Sequence, residues 1–372
     1  LSEIVLYPSN WLYNAGVVGF LHSLQEVEKI QVEGFLKEDG TVVLPANLFA
    51  QLNWDLRYFS ETRLAAITGQ AKIYRNYWQP SWDKSAFGAY VAALENLRES
   101  SLHSCSVCGR NFEIPEPHLQ ALVQRFSFLK TFLSGVSTFD VRLNMMLAPS
   151  IGEFPNSLWN LRSGSCVCPL CSFLLVHQHL SFLELIDSDG KASTSVFVNA
   201  PSFKVMWYLN RLVKEVYSRE KISFVRELLG VSLIEFAMRV NAQLGMWTKM
   251  NIEVVSWKRD GTIDFYVLPY QVADLLLDWR VASLLSDIGE FSVLKMVLEE
   301  RFYEIVELGE KIMAIGIKRK NEWGKQEKAY INQHLRLSRN KDRPDNLVNF
   351  ASRLFSLYAL IQEKQGVKGN ER

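Results

Sequence analysis

Ile252-Glu-Val-Val-Ser-Trp-Lys258-Arg259-Asp260-Gly261-Thr-Ile263-Asp-Phe265-Tyr-Val267-Leu268 reads as two strands joined by a turn. Ile252, Val254, Val255 and Trp257 enter the turn, and Ile263, Phe265 and Val267 leave it. An Asp-Gly pair between such runs is a hairpin signal, because glycine takes positive φ without steric cost. Beyond Tyr270 the apolar spacing is helical to the end of the chain. Its breaks fall near Gly316–Gly324 and at Asp342-Arg343-Pro344-Asp345, where proline keeps the preceding residue extended. Upstream, Glu38-Asp39-Gly40 sits in Gly34–Leu44 between Phe35-Leu36 and Val42-Val43-Leu44, a second hairpin signal. Asp187-Ser188-Asp189-Gly190 marks another turn, followed by a strand over Ser195–Val198 and a helix from Phe203 to Tyr217. Near the start, Ser9 or Asn10 can cap a helix whose apolar stripe is Tyr13, Val17, Phe20, Leu21, Leu24 and Val27. Hairpins come first and helices last. The predicted class is α+β: a mixed N-terminal region with hairpins and a zinc-finger-like four-cysteine site, then an all-helical C-terminal region. The expected domains are 1–270, with a zinc-binding insertion at about 100–175, and a helical bundle over 271–372.

The chain of 372 residues exceeds the usual size of a single hydrophobic core. With 48% hydrophobic and 12% aromatic residues it is too apolar for extensive disorder. Its apolar runs, such as Phe173–Val176, are far too short to span a membrane. The N-terminus opens on an acidic, strand-like stretch rather than a signal peptide, so a cytoplasmic, reducing location is expected. Net charge is +1, yet Lys311–Arg372 holds 14 Lys/Arg against 6 Asp/Glu, and the other 310 residues hold 27 against 34. That asymmetry suits a basic C-terminal module facing nucleic acid, although an ordinary solvated helical face reads the same way.

Five cysteines are present, and four of them form two C-x-x-C pairs, Cys105-Ser-Val-Cys108 and Cys168-Pro-Leu-Cys171, separated by 59 residues. Two intervening residues let both thiolates of a pair reach one tetrahedral metal at about 2.3 Å. Two pairs complete the ligand set of a structural Zn2+, with no position left for a catalytic water. Cys166 extends the second pair to C-x-C-x-x-C, so it can replace Cys168 or remain a spare thiol. His177 and His179 are further candidates for which four cysteines leave no vacancy. A redox dithiol at Cys168 and Cys171 is the other reading, but it leaves Cys105 and Cys108 without a purpose.

Tyr7-Pro-Ser-Asn-Trp-Leu-Tyr-Asn-Ala-Gly-Val-Val-Gly-Phe-Leu21, the first C-x-x-C, and Phe154-Pro-Asn-Ser-Leu-Trp-Asn160 leading to Cys168-Pro-Leu-Cys171 form one pattern with Val196-Phe-Val-Asn-Ala-Pro-Ser202. In these stretches the chain resembles the CXXC–CXXC large subunit of type I-B CRISPR (Cascade) surveillance complexes, over about residues 5–215. Cys166 is an addition to that family's pattern. The resemblance implies a prokaryotic antiviral-defence protein that is not itself an enzyme. It implies recognition of a protospacer-adjacent motif in double-stranded target DNA, help in unwinding it, and recruitment of a helicase–nuclease. The implied partners are a CRISPR RNA with its backbone, RNA-end-binding and small subunits. A helical C-terminal portion would lie along the guide–target duplex.

Three places in the sequence suit nucleic-acid contact. Lys72, Arg75 and Asn76 interleave with Tyr74, Tyr77 and Trp78, a mixture that stacks bases and holds phosphates, though an amphipathic core segment has the same composition. Lys258 and Arg259 project from the hairpin tip, which is also what a plain solvated turn looks like. Lys318, Arg319 and Lys320, with Arg336, Arg339, Lys341 and Arg343, can track a phosphate backbone. Asn10, Trp11 and Asn14 invite a role as motif readers, but a capped helix entering a core explains them equally. A nuclease or other hydrolase finds little support: the chain has no glycine-rich phosphate loop, no His-Glu-x-x-His and no Gly-x-Ser-x-Gly. A zinc-ribbon nucleic-acid-binding accessory protein of another complex shares the thiolate site but leaves the N-terminal string unexplained.

Overall fold

Asn10 begins the first helix by accepting a hydrogen bond from the Tyr13 amide at 3.0 Å, which satisfies one of the orphan donors of the opening turn. The computed structural model describes residues 2–26, 28–52, 84–99, 105, 107–110, 112–127, 139–140, 164–165, 168–175, 177–186, 192–220, 225–239, 252–258, 262–335 and 343–369. These form two compact units, Leu1–Phe182 with Asn199–Trp207, and Leu183–Val198 with Tyr208–Arg372.

Unit 1 opens with strand β1 (Glu3–Leu6), helix α1 (Trp11–Glu26), strand β2 (Val42–Pro45) and helix α2 (Leu48–Gln51). Helix α3 (Lys84–Ala93), β3 (Arg98–Glu99), β4 (Phe112–Glu113), α4 (Glu116–Arg125), β5 (Phe139–Asp140), β6 (Gly164–Ser165) and α5 (Pro169–Leu175) follow. The Asp-Gly turn forms as its sequence suggests. Gly40 takes φ +84, and Asp39 accepts from the Thr41 amide at 3.0 Å and its hydroxyl at 2.7 Å. The arm before the turn contributes only a single bridge, Leu36 to Val42, and β2 pairs instead with β1 in antiparallel register from Glu3–Pro45 to Leu6–Val42. Pairing β1 with β2 places α1 between two strands that touch, a long-range choice that local turn chemistry does not encode.

Tyr13, Val17, Phe20, Leu21 and Leu24 of the stripe are buried on α1, but so are Leu12, Ala15, Gly16, Val18 and Gly19 outside it; Val27 lies outside the described residues. A helix apolar on all sides belongs in the interior. Gly16 and Gly19 make that possible where α1 meets α5 and the 3-10 turn Gln178–Leu180. A Cβ on Gly16 would stand 2.7 Å from the Leu174 carbonyl oxygen, and one on Gly19 would overlap the His177 carbonyl oxygen. Around this crossing Phe20 stacks on Phe49 and meets Phe173 and His177 edge-on, with ring centroids 5.3–6.2 Å apart.

Unit 2 holds strands β7 (Leu183–Ile186), β8 (Ala192–Asn199), β9 (Ile252–Lys258) and β10 (Ile263–Leu268) in one sheet ordered β10-β9-β8-β7. The hairpin read from the sequence is present, with Ile263 opposite Trp257 and Leu268 opposite Ile252. Helices α6 (Phe203–Glu220) and α7 (Val225–Arg239) lie in the chain between β8 and β9. Asn210 of α6 exchanges two 2.8 Å hydrogen bonds with the Val198 backbone, and Tyr217 accepts from the Ile186 amide at 2.9 Å.

Helices α8 (Tyr270–Leu277), α9 (Trp279–Ile288), α10 (Phe291–Leu298), α11 (Phe302–Gly316), α12 (Lys325–His334) and α13 (Pro344–Gly369) complete the chain. Asp278 caps α9 by accepting from the Arg280 and Val281 amides, and it also pairs with Lys364 of α13 at 2.8 Å. Helices α11 and α13 pack where Gly309 faces the Phe355 ring and Gly316 faces Leu347 and Val348. The α+β class with a helical C-terminal region is therefore the observed one. Within unit 2, α7 packs on α8, α9 and α10, and the sheet and the C-terminal helices fall in the same compact unit. Among the described residues no helix is long and apolar enough to cross a membrane.

Gly19→Ala should destabilise unit 1 by at least about 1–3 kcal/mol, as overpacking against backbone does. Gly34→Ala, whose Cβ meets open space, should stay within about 0.5 kcal/mol of the parent. Urea titrations of the two variants check the difference.

Candidate metal centre

The first cysteine pair is a closed turn. The Gly109 amide donates to the Cys105 carbonyl at 2.8 Å, and the Cys105 amide returns to the Arg110 carbonyl at 2.9 Å. Gly109 takes φ +74, a conformation a side chain would strain. The second pair straddles the start of α5. Pro169 fits the first helical position because it has no N–H to leave unsatisfied. The Ser172 amide reaches the Cys168 carbonyl at 3.0 Å. Tyr90 of α3 donates its hydroxyl to the Pro169 carbonyl at 2.8 Å, and so ties a third element to the knuckle.

These two turns bring the sulfurs of Cys105, Cys108, Cys168 and Cys171 within 4.8 Å of one another. A tetrahedral ion with bonds of about 2.3 Å needs sulfurs about 3.8 Å apart, and Cys108 and Cys168 stand at 4.0 Å. Backbone amides point at the sulfurs: Val107 and Cys168 at Cys105 Sγ, 3.4 and 3.3 Å, and Cys171 at Cys168 Sγ, 3.5 Å. Such donors favour the thiolate form, which is the form that binds metal. Cys105, Cys168 and Cys171 are buried and Cys108 is half-buried. Hydrogen bonding from Cys108, Cys168 and Cys171 lowers the Cys105 thiol, whereas burial raises Cys168 and Cys171. Cys108 is lowered too: its contact with Cys105 opposes this, but hydrogen bonds from Cys168 and Cys171 prevail. Four thiolates this close would repel one another unless a cation lay among them. The donor set, the sulfur spacing and the inward amides fit a structural metal ion.

Burial raises the Tyr13 phenol well above its ordinary range, and the thiolates add to this, Cys171 foremost. Tyr90 is raised by burial first and by Cys168 and Cys171 next. Both therefore remain neutral. His177 is not part of the thiol cluster. It sits fully buried against Phe20 and Phe173 with Nδ1 2.9 Å from the Phe173 carbonyl oxygen, and burial lowers its pKa to about 3. His179 is likewise buried in the following 3-10 turn. Cys166 lies outside the described residues.

The N-terminal string surrounds this centre. Ser9 donates its hydroxyl to the Val107 carbonyl at 2.5 Å. Asn14 is buried, accepts from the Ser9 amide at 2.8 Å, and donates to the Ser9 carbonyl at 2.9 Å and to Asn199 at 2.8 Å. Asn10 caps α1, and Trp11 meets Phe182 edge-on. These contacts give Asn10, Trp11 and Asn14 structural employment. Arg110 is a brace that spacing does not reveal: it donates to the Val5 carbonyl at 3.0 Å and pairs with Glu99 while lying over the Phe112 ring.

Of the basic candidates, Lys258 ends β9 and pairs with Asp264 at 2.6 Å. Lys318, Arg319 and Lys320 are exposed on the turn between α11 and α12. That turn is anchored by buried Trp323, whose indole donates to the Ile315 carbonyl at 3.1 Å. Lys318 pairs with Glu327 at 2.6 Å. Arg343 is exposed just before α13. Lys72, Arg75, Asn76, Arg259, Arg336, Arg339 and Lys341 lie outside the described residues. Comparison with protein-family models, with curated proteins and with solved structures gives no match.

Elemental analysis of the purified protein should find about one thiophilic metal ion per chain. Cys171→Ser should lose it, together with several degrees of melting temperature. Acidification tests His177 separately. Its unfolded pKa is about 6.5 and its folded value about 3, so only the unfolded chain takes a proton between them. Its contribution to stability is complete above pH 6.5 and is lost, at about 1.4 kcal/mol per unit, as pH falls toward 3. His177→Gln should flatten that part of the stability–pH curve relative to the parent.

Proposed function

We propose that this chain is the non-enzymatic large subunit of a type I-B CRISPR effector complex, with Zn2+ in the four-thiolate site as a structural ion. One observation carries the reading. Among the described residues, the N-terminal string, the two cysteine knuckles and Asn199 lie far apart in sequence yet pack together, while Phe154–Asn160 lies outside those residues. Ser9 holds Val107, Asn14 holds Asn199, the Tyr13 ring meets Phe203 at 6.3 Å, and Gly16 lies against Leu174. Residues that share one structural task are the ones a family pattern retains together.

Zinc suits the site because it has no redox chemistry and accepts a closed tetrahedron of sulfur. The resulting platform fits a protein that leaves sequence reading to base pairing. Such a protein needs basic surfaces for backbones and a few polar groups for one short duplex motif. Parting the strands needs rigid support, since unstacking costs a few kcal/mol per step. Lys318, Arg319 and Lys320 offer an exposed basic turn on a buried anchor. The ion pairs of Lys318 and Lys258 lie on an exposed surface, where such pairs contribute little, so either lysine can exchange its carboxylate for a phosphate. The partners in this reading are a CRISPR RNA with its backbone, RNA-end-binding and small subunits, target duplex DNA carrying a protospacer-adjacent motif, and a helicase–nuclease.

Affinity purification of the tagged chain from its native cell should bring down a discrete small RNA and several subunits, and the assembly should bind duplex only when the adjacent motif is present. Recovery of neither RNA nor subunits overturns the reading in favour of an accessory factor of another complex. Turnover of nucleic acid by the isolated chain overturns it as well. Within the assembly, joint Lys318→Glu, Arg319→Glu and Lys320→Glu should lower the slope of log affinity against log salt by about 0.9 for each phosphate no longer neutralised.

A further inference from the structure

Helices α1 and α5 run side by side in a matched register. Gly19 meets the backbone at His177, and Gly16, three residues earlier, meets it at Leu174, three residues earlier. Three residues nearer both N-termini, the sequence has Tyr13 on α1 and Cys171 on α5. Two observations at that rung are complementary. The Tyr13 hydroxyl is buried and has no hydrogen-bond partner among the described residues. Cys171 Sγ is fully buried and receives no backbone amide among them, unlike Cys105 Sγ and Cys168 Sγ. One group is a donor without an acceptor and the other a sulfur without a backbone donor, in a place where neither can turn to bulk water.

We infer that Tyr13 is a positioning residue of the metal centre, its hydroxyl donating to the Cys171 thiolate when the ion is bound. The hydroxyl would then do for Cys171 what backbone amides do for Cys105 and Cys168. It would disperse charge on a buried sulfur and fix its lone pairs toward the ion, the usual role of outer-shell partners. The aromatic ring separately packs on Phe203. Removing the hydroxyl therefore isolates the donor from the packing.

This inference rests on metal occupancy of the four-thiol site and is independent of the CRISPR reading. Tyr13→Phe in the full chain should weaken Zn2+ about 10–100-fold in competition with a chromophoric chelator, the range typical when an outer-shell partner is removed. In the Co2+-substituted protein it should shift the sulfur-to-metal charge-transfer band. The metal-free protein should melt no lower than its parent, because an unpartnered hydroxyl has been removed. Tyr217→Phe is the control, since its hydroxyl accepts from the Ile186 amide within unit 2. That variant should lower stability and leave the charge-transfer band in place. Unchanged Zn2+ affinity with an unchanged band in Tyr13→Phe overturns the assignment. Parent protein that takes up neither Zn2+ nor Co2+ overturns both the assignment and the metal reading on which it stands.

Discussion

Four thiols gathered within 4.8 Å, three of them buried, repel one another once more than one has lost its proton. This conflict organises unit 1. The amides of Val107, Cys168 and Cys171 offset part of it, and the remainder is an electrostatic demand that a divalent cation meets. The elements around the cluster behave as braces. Tyr90 holds the Pro169 carbonyl, Arg110 joins the first knuckle to β1, and Ser9 joins it to the entry of α1. Each brace links segments remote in sequence, so the thiol cluster is tied to far more chain than its four cysteines.

The crossing of α1 on α5 is the second constraint, and it is steric. Backbone approaches backbone at Gly16 and Gly19, and any side chain there would push the second knuckle away from the first. The metal cluster and the helix crossing therefore depend on the same contact. Gly309 and Gly316 serve a similar purpose between α11 and α13 in unit 2, with Phe355, Leu347 and Val348 filling the space. Glycine in these helices costs about 0.5–1 kcal/mol each relative to alanine, a cost offset by the burial it permits.

Some of this was legible in sequence because it is local. The β9–β10 hairpin follows from alternation around Asp260-Gly261, and the cysteine cluster from two short spacings. Other features were not, because they depend on partners chosen at long range. Nothing in Glu38-Asp39-Gly40 reveals that β2 prefers β1 to the arm beside its own turn. The stripe on α1 predicts one buried face, but the glycines that bury the other gain meaning only beside Leu174 and His177. Asn10, Trp11 and Asn14 look alike in sequence as polar or aromatic residues at a helix start. Coordinates separate them into a cap, a ring contact and a buried three-way hydrogen-bond hub. Packing across residue 270 is long-range in the same way: helices after the hairpin pack on α7 before it.

The two knuckles also fasten both ends of the 59 residues between Cys108 and Cys168 at one point. Once its ends are clamped, such a segment is thermodynamically almost indifferent to its own length, since doubling a closed loop costs only about 0.6 kcal/mol. Added length in that passage is therefore thermodynamically cheap, provided that Gly109, Arg110 and the buried Phe112 and Leu122 keep their places beside the clasp.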